Sequence, residues 1–283
     1  MTGGAQITEI GDDHVCLTFC EHEELLDLTA AFVRDGLAAG AKVVWLSGLE
    51  PAAALAEMAG RGLTLIEAAA EGRMVVGGHE EGLLLDRSFD LEHATTWLKR
   101  QVGGINGFPR LRIALDMSWA LRPVSGVEQL PGFEERVGEL LEGAPVSVLC
   151  QYDRDRFDPV TLASVAASHP VSVAAATYHH DAVLRICRQY APPGIRIAGE
   201  IDHLAADPLA MALQEALRLD GDITVNMADL HFADASSIRM IIEAARAHPG
   251  TTTLRCGPAV LPRFILLGAF DVPGLRLAAA HER

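Results

Sequence analysis

Apolar and polar positions follow two rhythms along this chain. Nearly continuous apolar runs stand at 14–20, 42–47, 111–116 and 146–150, the pattern of strands buried on both faces. Between them, apolar residues recur at three- and four-residue spacing over 23–38, 51–59, 91–102 and 134–141. Each such stretch predicts a helix packed by one face. Apolar residues at 63–66 and 73–76 predict two further strands. Strands and helices joined by short glycine-rich turns predict an α/β unit around a mostly parallel sheet. Residues 1–13 read as a loosely ordered tail, the first unit as 14–176, and 177–181 as a linker. A second, smaller α/β unit fills 182–283. In it, strands at 183–188 and 194–199 flank Ala191-Pro192-Pro193-Gly194, a hairpin-like break. A helix at 206–217, a strand at 222–227, a helix opening near Ser236, a strand at 252–256 and a helix at 260–267 follow.

Composition narrows the function. With 283 residues and 49% hydrophobic content, the chain is long enough for two cored domains. The net charge of −15 repels a phosphate backbone and argues against a nucleic-acid partner. Five cysteines are spread without a CxxC pair, which suits a reducing cytoplasm better than a disulfide scaffold. No apolar run approaches the roughly 20 residues of a membrane span, and no signal-peptide pattern opens the chain. The expectation is a soluble, cytoplasmic protein.

The most informative words stand between the 222–227 strand and the next helix. Asp234 and Ser236 precede Ile238, Ile241, Ile242 and Ala245, which have helical spacing. Asp and Ser cap helix starts by accepting bonds from unpaired N–H groups. Those N–H groups and the helix dipole also favour a phosphate on a serine placed there. A plain cap and a phosphate-accepting switch both fit these residues. The segment Phe232-Ala233-Asp234-Ala235-Ser236-Ser237-Ile238, with Gly199-Glu200-Ile201-Asp202-His203 and Cys256-Gly257-Pro258, resembles the STAS domain, a family that includes bacterial anti-sigma factor antagonists. The resemblance spans about residue 181 to the C-terminus. It implies a small sheet covered by helices, and a serine phosphorylated by a partner kinase that is also the anti-sigma factor. That role falls on Ser236, with Ser237 as second candidate, and the implied partner surface on Asp202, Asp234, Ser236, Ser237 and Arg239. The family word runs Asp-Ser-Ser-Gly-Leu; Ala235, Ser237 and Ile238 depart from it, and Asn226 stands where an acid is usual.

The earlier part of the chain resembles a second family. Asp116-Met117-Ser118-Trp119-Ala120-Leu121, Cys150-Gln151-Tyr152-Asp153-Arg154-Asp155-Arg156-Phe157-Asp158-Pro159, His14-Val15-Cys16-Leu17 and Phe32-Val33-Arg34-Asp35-Gly36-Leu37 are similar to the MEDS sensory domain. That family was described around a regulator of dichloromethane metabolism and implies a RecA/KaiC-like fold. ATP hydrolysis does not follow. A phosphate loop needs a glycine-rich turn ending in Gly-Lys-Ser/Thr, whereas neither Lys42 nor Lys99 follows a glycine, and Glu21-His22-Glu23-Glu24 is acidic. Asp116 then reads as structural rather than as a metal ligand. Ligands of open α/β sheets sit beyond the carboxyl ends of the strands. Parallel strands here would gather Cys20, His22, Ser47, Asp116, Ser118, Trp119, Gln151 and Tyr152 into a crevice for a small organic ligand. Trp119 and Tyr152 equally suit packing under loops. No metal or cofactor is expected: His14 and Cys20 would lie ~20 Å apart on one strand, and Cys20 with His22 alone makes a poor site. Cys16 and Cys150 read as small core residues, and His179-His180 as a solvated part of the linker.

The sequence thus predicts a two-unit regulator rather than an enzyme. A signal in the MEDS-like unit would control how the STAS-like unit binds an anti-sigma serine kinase of the histidine-kinase-like ATPase type. Two alternatives stay open: a STAS-based scaffold of a larger complex, or an enzyme using Cys20 as nucleophile. Oligomeric state is also open, a homo-oligomer included.

Overall fold

The computed structural model describes residues 13–280 except position 106; of the tail expected over residues 1–13, all but Asp13 lies outside the described residues. The chain divides into two compact units between Ala174 and Ala175. The first contains β1 (His14–Phe19), α1 (His22–Ala38), β2 (Lys42–Ser47), α2 (Pro51–Gly60), α3 (Ile66–Ala70), β3 (Met74–Gly78), a short hairpin of β4 (Leu84–Leu85) and β5 (Ser88–Phe89), α4 (Leu91–Gly103), β6 (Leu111–Asp116), α5 (Leu130–Leu141), β7 (Val146–Asp153), α6 (Pro159–Ala167) and β8 (Val171–Val173). Six strands form a sheet in the order β3-β2-β6-β7-β1-β8. Every pairing in it is parallel.

Side chains alternate between the faces of a strand, and β7 shows what each face meets. The Gln151 amide donates to Thr29 Oγ1 on α1, at 2.7 Å. Its neighbours Cys150 and Tyr152 reach Glu134 on α5. On the α5 side, Val148, Phe133, Trp119, Phe89 and Leu98 belong to one core. Central strands covered on both faces explain the continuous apolar runs in the sequence.

The second unit contains β9 (Thr177–His180), β10 (Leu184–Tyr190), β11 (Pro193–Ile201), α7 (Ala206–Leu219), β12 (Ile223–Met227), β13 (Leu230–Ala233), α8 (Ala235–Ala247), β14 (Thr252–Cys256), α9 (Leu261–Leu266) and β15 (Leu275–Ala279). Its sheet runs β15-β14-β12-β11-β10-β9, with β13 paired to β11. Hairpin β10–β11 is antiparallel, whereas β12, β14 and β15 run parallel. At the start of β11, Gly194 has φ +148°, and a Cβ there would lie 1.9 Å from the Thr224 carbonyl oxygen. Glycine lets the two strands meet.

Two expectations are corrected. Residues 63–66 form no strand: Leu65 precedes α3, and the helical face buries Ala68 while Ile66 stays exposed. Residues 177–180 are not a linker but the edge strand β9, whose Thr177, His179 and His180 pair with β10. Among the described residues, no helix is long and apolar enough to cross a membrane.

Candidate functional site

The carboxyl ends of β1, β2, β6 and β7 surround a crevice of about 240 Å³. Its lining includes Phe19, His22, Gly48, Asp116, Ser118 and Arg156. Asp116 organises it: one carboxylate oxygen accepts the Gly48 N–H and the other the Ser118 N–H, both at 2.9 Å. Beside it His79 is buried, with Nδ1 2.6 Å from Arg122. Burial holds its imidazole below the ordinary value despite the nearby Asp116 carboxylate.

Of the eight expected ligand residues, His22, Asp116 and Ser118 line this crevice. Ser47 is buried, its hydroxyl accepting the Leu49 N–H at 3.0 Å. Cys20 is half-buried and lies 2.7 Å from Arg154 Nη2. Neither of these two lines the crevice, and nor do the other three. Trp119 turns into the core and stacks on Phe89 with centroids 4.4 Å apart. Strand β7 continues to Asp153 rather than ending at 150, so Gln151 and Tyr152 are still inside the sheet and fully buried.

Only Cys20 and Glu21 separate β1 from α1. Glu24 in the first turn folds back, its carboxylate accepting the Cys20 N–H at 2.9 Å. This bond ties the first turn of α1 to the loop that follows β1.

On the α5 side of the sheet lies a buried polar cluster. Glu134 Oε2 is 2.9 Å from His14 Nε2, 3.3 Å from Cys150 Sγ and 3.4 Å from His169 Nε2. Its other oxygen accepts the Tyr152 hydroxyl. The His14 and His169 rings face one another at 3.8 Å. His169 Nδ1 is 2.6 Å from the Val165 carbonyl oxygen. A carbonyl can only accept, so Nδ1 carries the proton. Burial opposes the Glu134 charge, yet the His14 hydrogen bond and the two imidazoles hold its carboxyl below the ordinary range. Burial and the Glu134 charge push the Cys150 thiol and the Tyr152 phenol well up. Burial holds His169 below its ordinary value.

In the second unit, Asp234 caps α8. Its carboxylate accepts the Ser237 N–H at 2.7 Å and the Ser236 hydroxyl at 2.8 Å. Partial burial opposes its charge, but these donors hold the carboxyl below the ordinary range. Ser236 and Arg239 are exposed. Ser237 is not on the surface: it shares the buried face of α8 with Ile238, Ile241 and Ile242. Asp202 caps the turn at His203–Ala205, accepting the Leu204 N–H at 2.9 Å. It borders a depression of about 220 Å³ shared by Asp181, Val183, Glu200, Leu204 and Phe232. Asn226, in place of the expected acid, is buried and donates to Gln189 at 2.9 Å.

Residues 13–170, more than half of the chain, match the MEDS family, the methanogen/methylotroph, DcmR sensory domain. The chain belongs to the MEDS family. No curated protein matches it. Among solved structures, the MEDS chain is similar to a KaiC-like protein of the hyperthermophilic archaeon Pyrococcus horikoshii OT3, at 14% identity and TM-score 0.48, over 64% of this chain and 79% of that one. It is also similar to the flagellar accessory protein FlaH of Methanocaldococcus jannaschii, at 12% identity and TM-score 0.47, over 68% and 91%.

Sequence reasoning set His14 and Cys150 apart and did not single out Glu134 or His169. One signal was present in the MEDS unit. Glu134 falls on the apolar face of α5, with Leu130, Phe133, Val137 and Leu141, where an acid stays charged only with partners.

Proposed function

We propose that this MEDS protein is a signalling regulator, not an enzyme, in which the MEDS unit senses a small organic ligand and the second unit is a STAS-like antagonist of an anti-sigma serine kinase. The observation that carries the output half is Ser236, exposed at the first turn of α8 and held by Asp234, while Ser237 is buried. A phosphate there adds about −1.5 to −2 charges beside Asp234, near the depression that holds Asp181, Glu200 and Asp202. Desolvation of that charge in an interface, and its repulsion from acidic groups of a partner, would release the partner. The input half rests on the sensory family and on the crevice around Asp116. Triphosphate hydrolysis is no part of this reading, because the chain entering α1 reads Cys20-Glu21-His22-Glu23-Glu24 and holds no Gly-Lys-Ser/Thr word.

The test is to incubate the protein with ATP and the histidine-kinase-like serine kinases of its host, mapping phosphate by mass spectrometry. Phosphate on Ser236, its loss in Ser236→Ala, and weaker kinase binding by Ser236→Asp are expected. Equal binding by wild type and Ser236→Asp, with no phosphate on Ser236, would sink the antagonist reading.

A further inference from the structure

We propose that His14, Glu134, Cys150 and His169 form a tetrahedral site for a divalent transition-metal ion of the zinc class. The four donor atoms come from four places in the fold: β1, α5, β7 and the segment just after α6. All four residues are buried, and their donor atoms lie within 4.8 Å of one another. Zinc bonds to N, O and S are about 2.0–2.3 Å, so neighbouring ligands of a tetrahedral ion stand roughly 3.3–3.8 Å apart. Four of the six separations here are 2.9, 3.3, 3.4 and 3.5 Å, and the other two are within 4.8 Å. An ion would draw these groups into a regular tetrahedron and part the two imidazoles, whose centroids are 3.8 Å apart.

The surroundings of His169 point the same way. With Nδ1 committed to Val165, Nε2 is the ring nitrogen of His169 turned to the cluster. That atom is buried without a hydrogen-bond partner, and it faces Glu134 Oε2 at 3.4 Å. A cation between these two atoms would bond to both. Outer partners of the kind metal ligands use are in place as well. Val165 fixes the tautomer of His169, and Tyr152 holds the Glu134 oxygen that faces away from the cluster. The donor set of two imidazoles, a thiolate and a carboxylate suits zinc or cobalt(II) and not calcium or magnesium, which take oxygen. Four protein ligands leave no open position, so the ion is a structural staple. Binding requires the Cys150 thiol to lose its proton as the ion enters.

The experiment is to express the full chain with zinc or cobalt, measure metal content after dialysis, and record the optical spectrum of the cobalt form. About one ion per chain is expected, the stoichiometry of a single four-ligand site. So are intense tetrahedral d–d bands and a thiolate-to-cobalt charge-transfer band. Cys150→Ser should lose the charge-transfer band. Tyr152→Phe, which keeps every ligand, should lower metal affinity about 10–100-fold. Wild-type protein that carries no metal and shows no cobalt spectrum would overturn the proposal without recourse to any variant. A charge-transfer band that survives in Cys150→Ser would overturn the site as assigned, and Cys256→Ala, in the second unit, checks that the band does not arise from another thiol.

Discussion

A Cβ on Gly48 would lie 2.6 Å from Asp116 Oδ2 and 3.0 Å from Ser118 Oγ. The carboxylate cannot retreat, because it already holds the Gly48 and Ser118 N–H groups. Gly48→Ala should therefore destabilise the protein by about 1–3 kcal/mol, the usual range for overpacking. Gly60→Ala, where nothing lies within 4 Å, should be neutral or slightly stabilising. Urea titration of the two variants reads the difference, and equal midpoints would refute the close-packing account. A second residue-scale prediction concerns pH. Asp181 accepts the Val183 and Leu184 N–H groups, each at 2.8 Å, and faces His179 Nε2 at 2.9 Å. The Val183 N–H first, then His179 and Leu184, draw its carboxyl down from 3.8 to about 2. A folded value below the unfolded one gives stability that is full above pH ~4 and is lost as pH falls towards 2. Asp181→Asn should flatten the stability profile over that window, and a carboxyl titration by NMR should centre near the lower value.

At the scale of elements, Asp234 belongs to α8 as much as to any surface. Asp234→Ala removes the acceptor of the Ser237 N–H and should cost about 1 kcal/mol, read as a fall in the thermal midpoint; Asp234→Asn should recover most of it. This helix start was legible in the sequence because an Asp stood directly before apolar residues at helical spacing. The same holds for β2, β6 and β14, whose bounds match the expected strand ranges residue for residue. Legibility failed where burial is partial or the run is short. β15 is only half-buried and β8 has three residues, so neither carries a clear period. α6 is nearly uniform in hydrophobicity and buries only Val165, which hides its face. The apolar residues at 63–66 were misread because an isolated apolar run fits a helix start as well as a strand. Crevice residues fared unevenly for a related reason. His22, Asp116 and Ser118 sit at element ends that the pattern located, whereas the three extra residues of β7 carried Gln151 and Tyr152 back into the sheet.

At the scale of the whole molecule, what sequence reading could not supply was distance between remote positions. His14 and Glu134 are 120 residues apart, and only the parallel pairing of β1 with β7, Cys16 opposite Cys150, brings their elements together. No local period encodes that register. The same topology yields a prediction about the chain as two pieces. Among the described residues, every strand of the six-stranded sheet precedes Ala174 and every strand of the seven-stranded sheet follows it. Cutting there leaves no ladder unpaired, and a buried orphan backbone group is the main cost of severing a fold. Each piece also has its own apolar core, around Phe133 and Trp119 in one and around Ile197 and Phe264 in the other, and each falls within the usual size of an autonomous domain. Residues 1–174 expressed alone should unfold in one cooperative transition, with the amides of β2, β6, β7 and β1 the slowest to exchange with solvent. A fragment that exchanges uniformly fast, or melts without cooperativity, would show that the first sheet needs the second unit to fold.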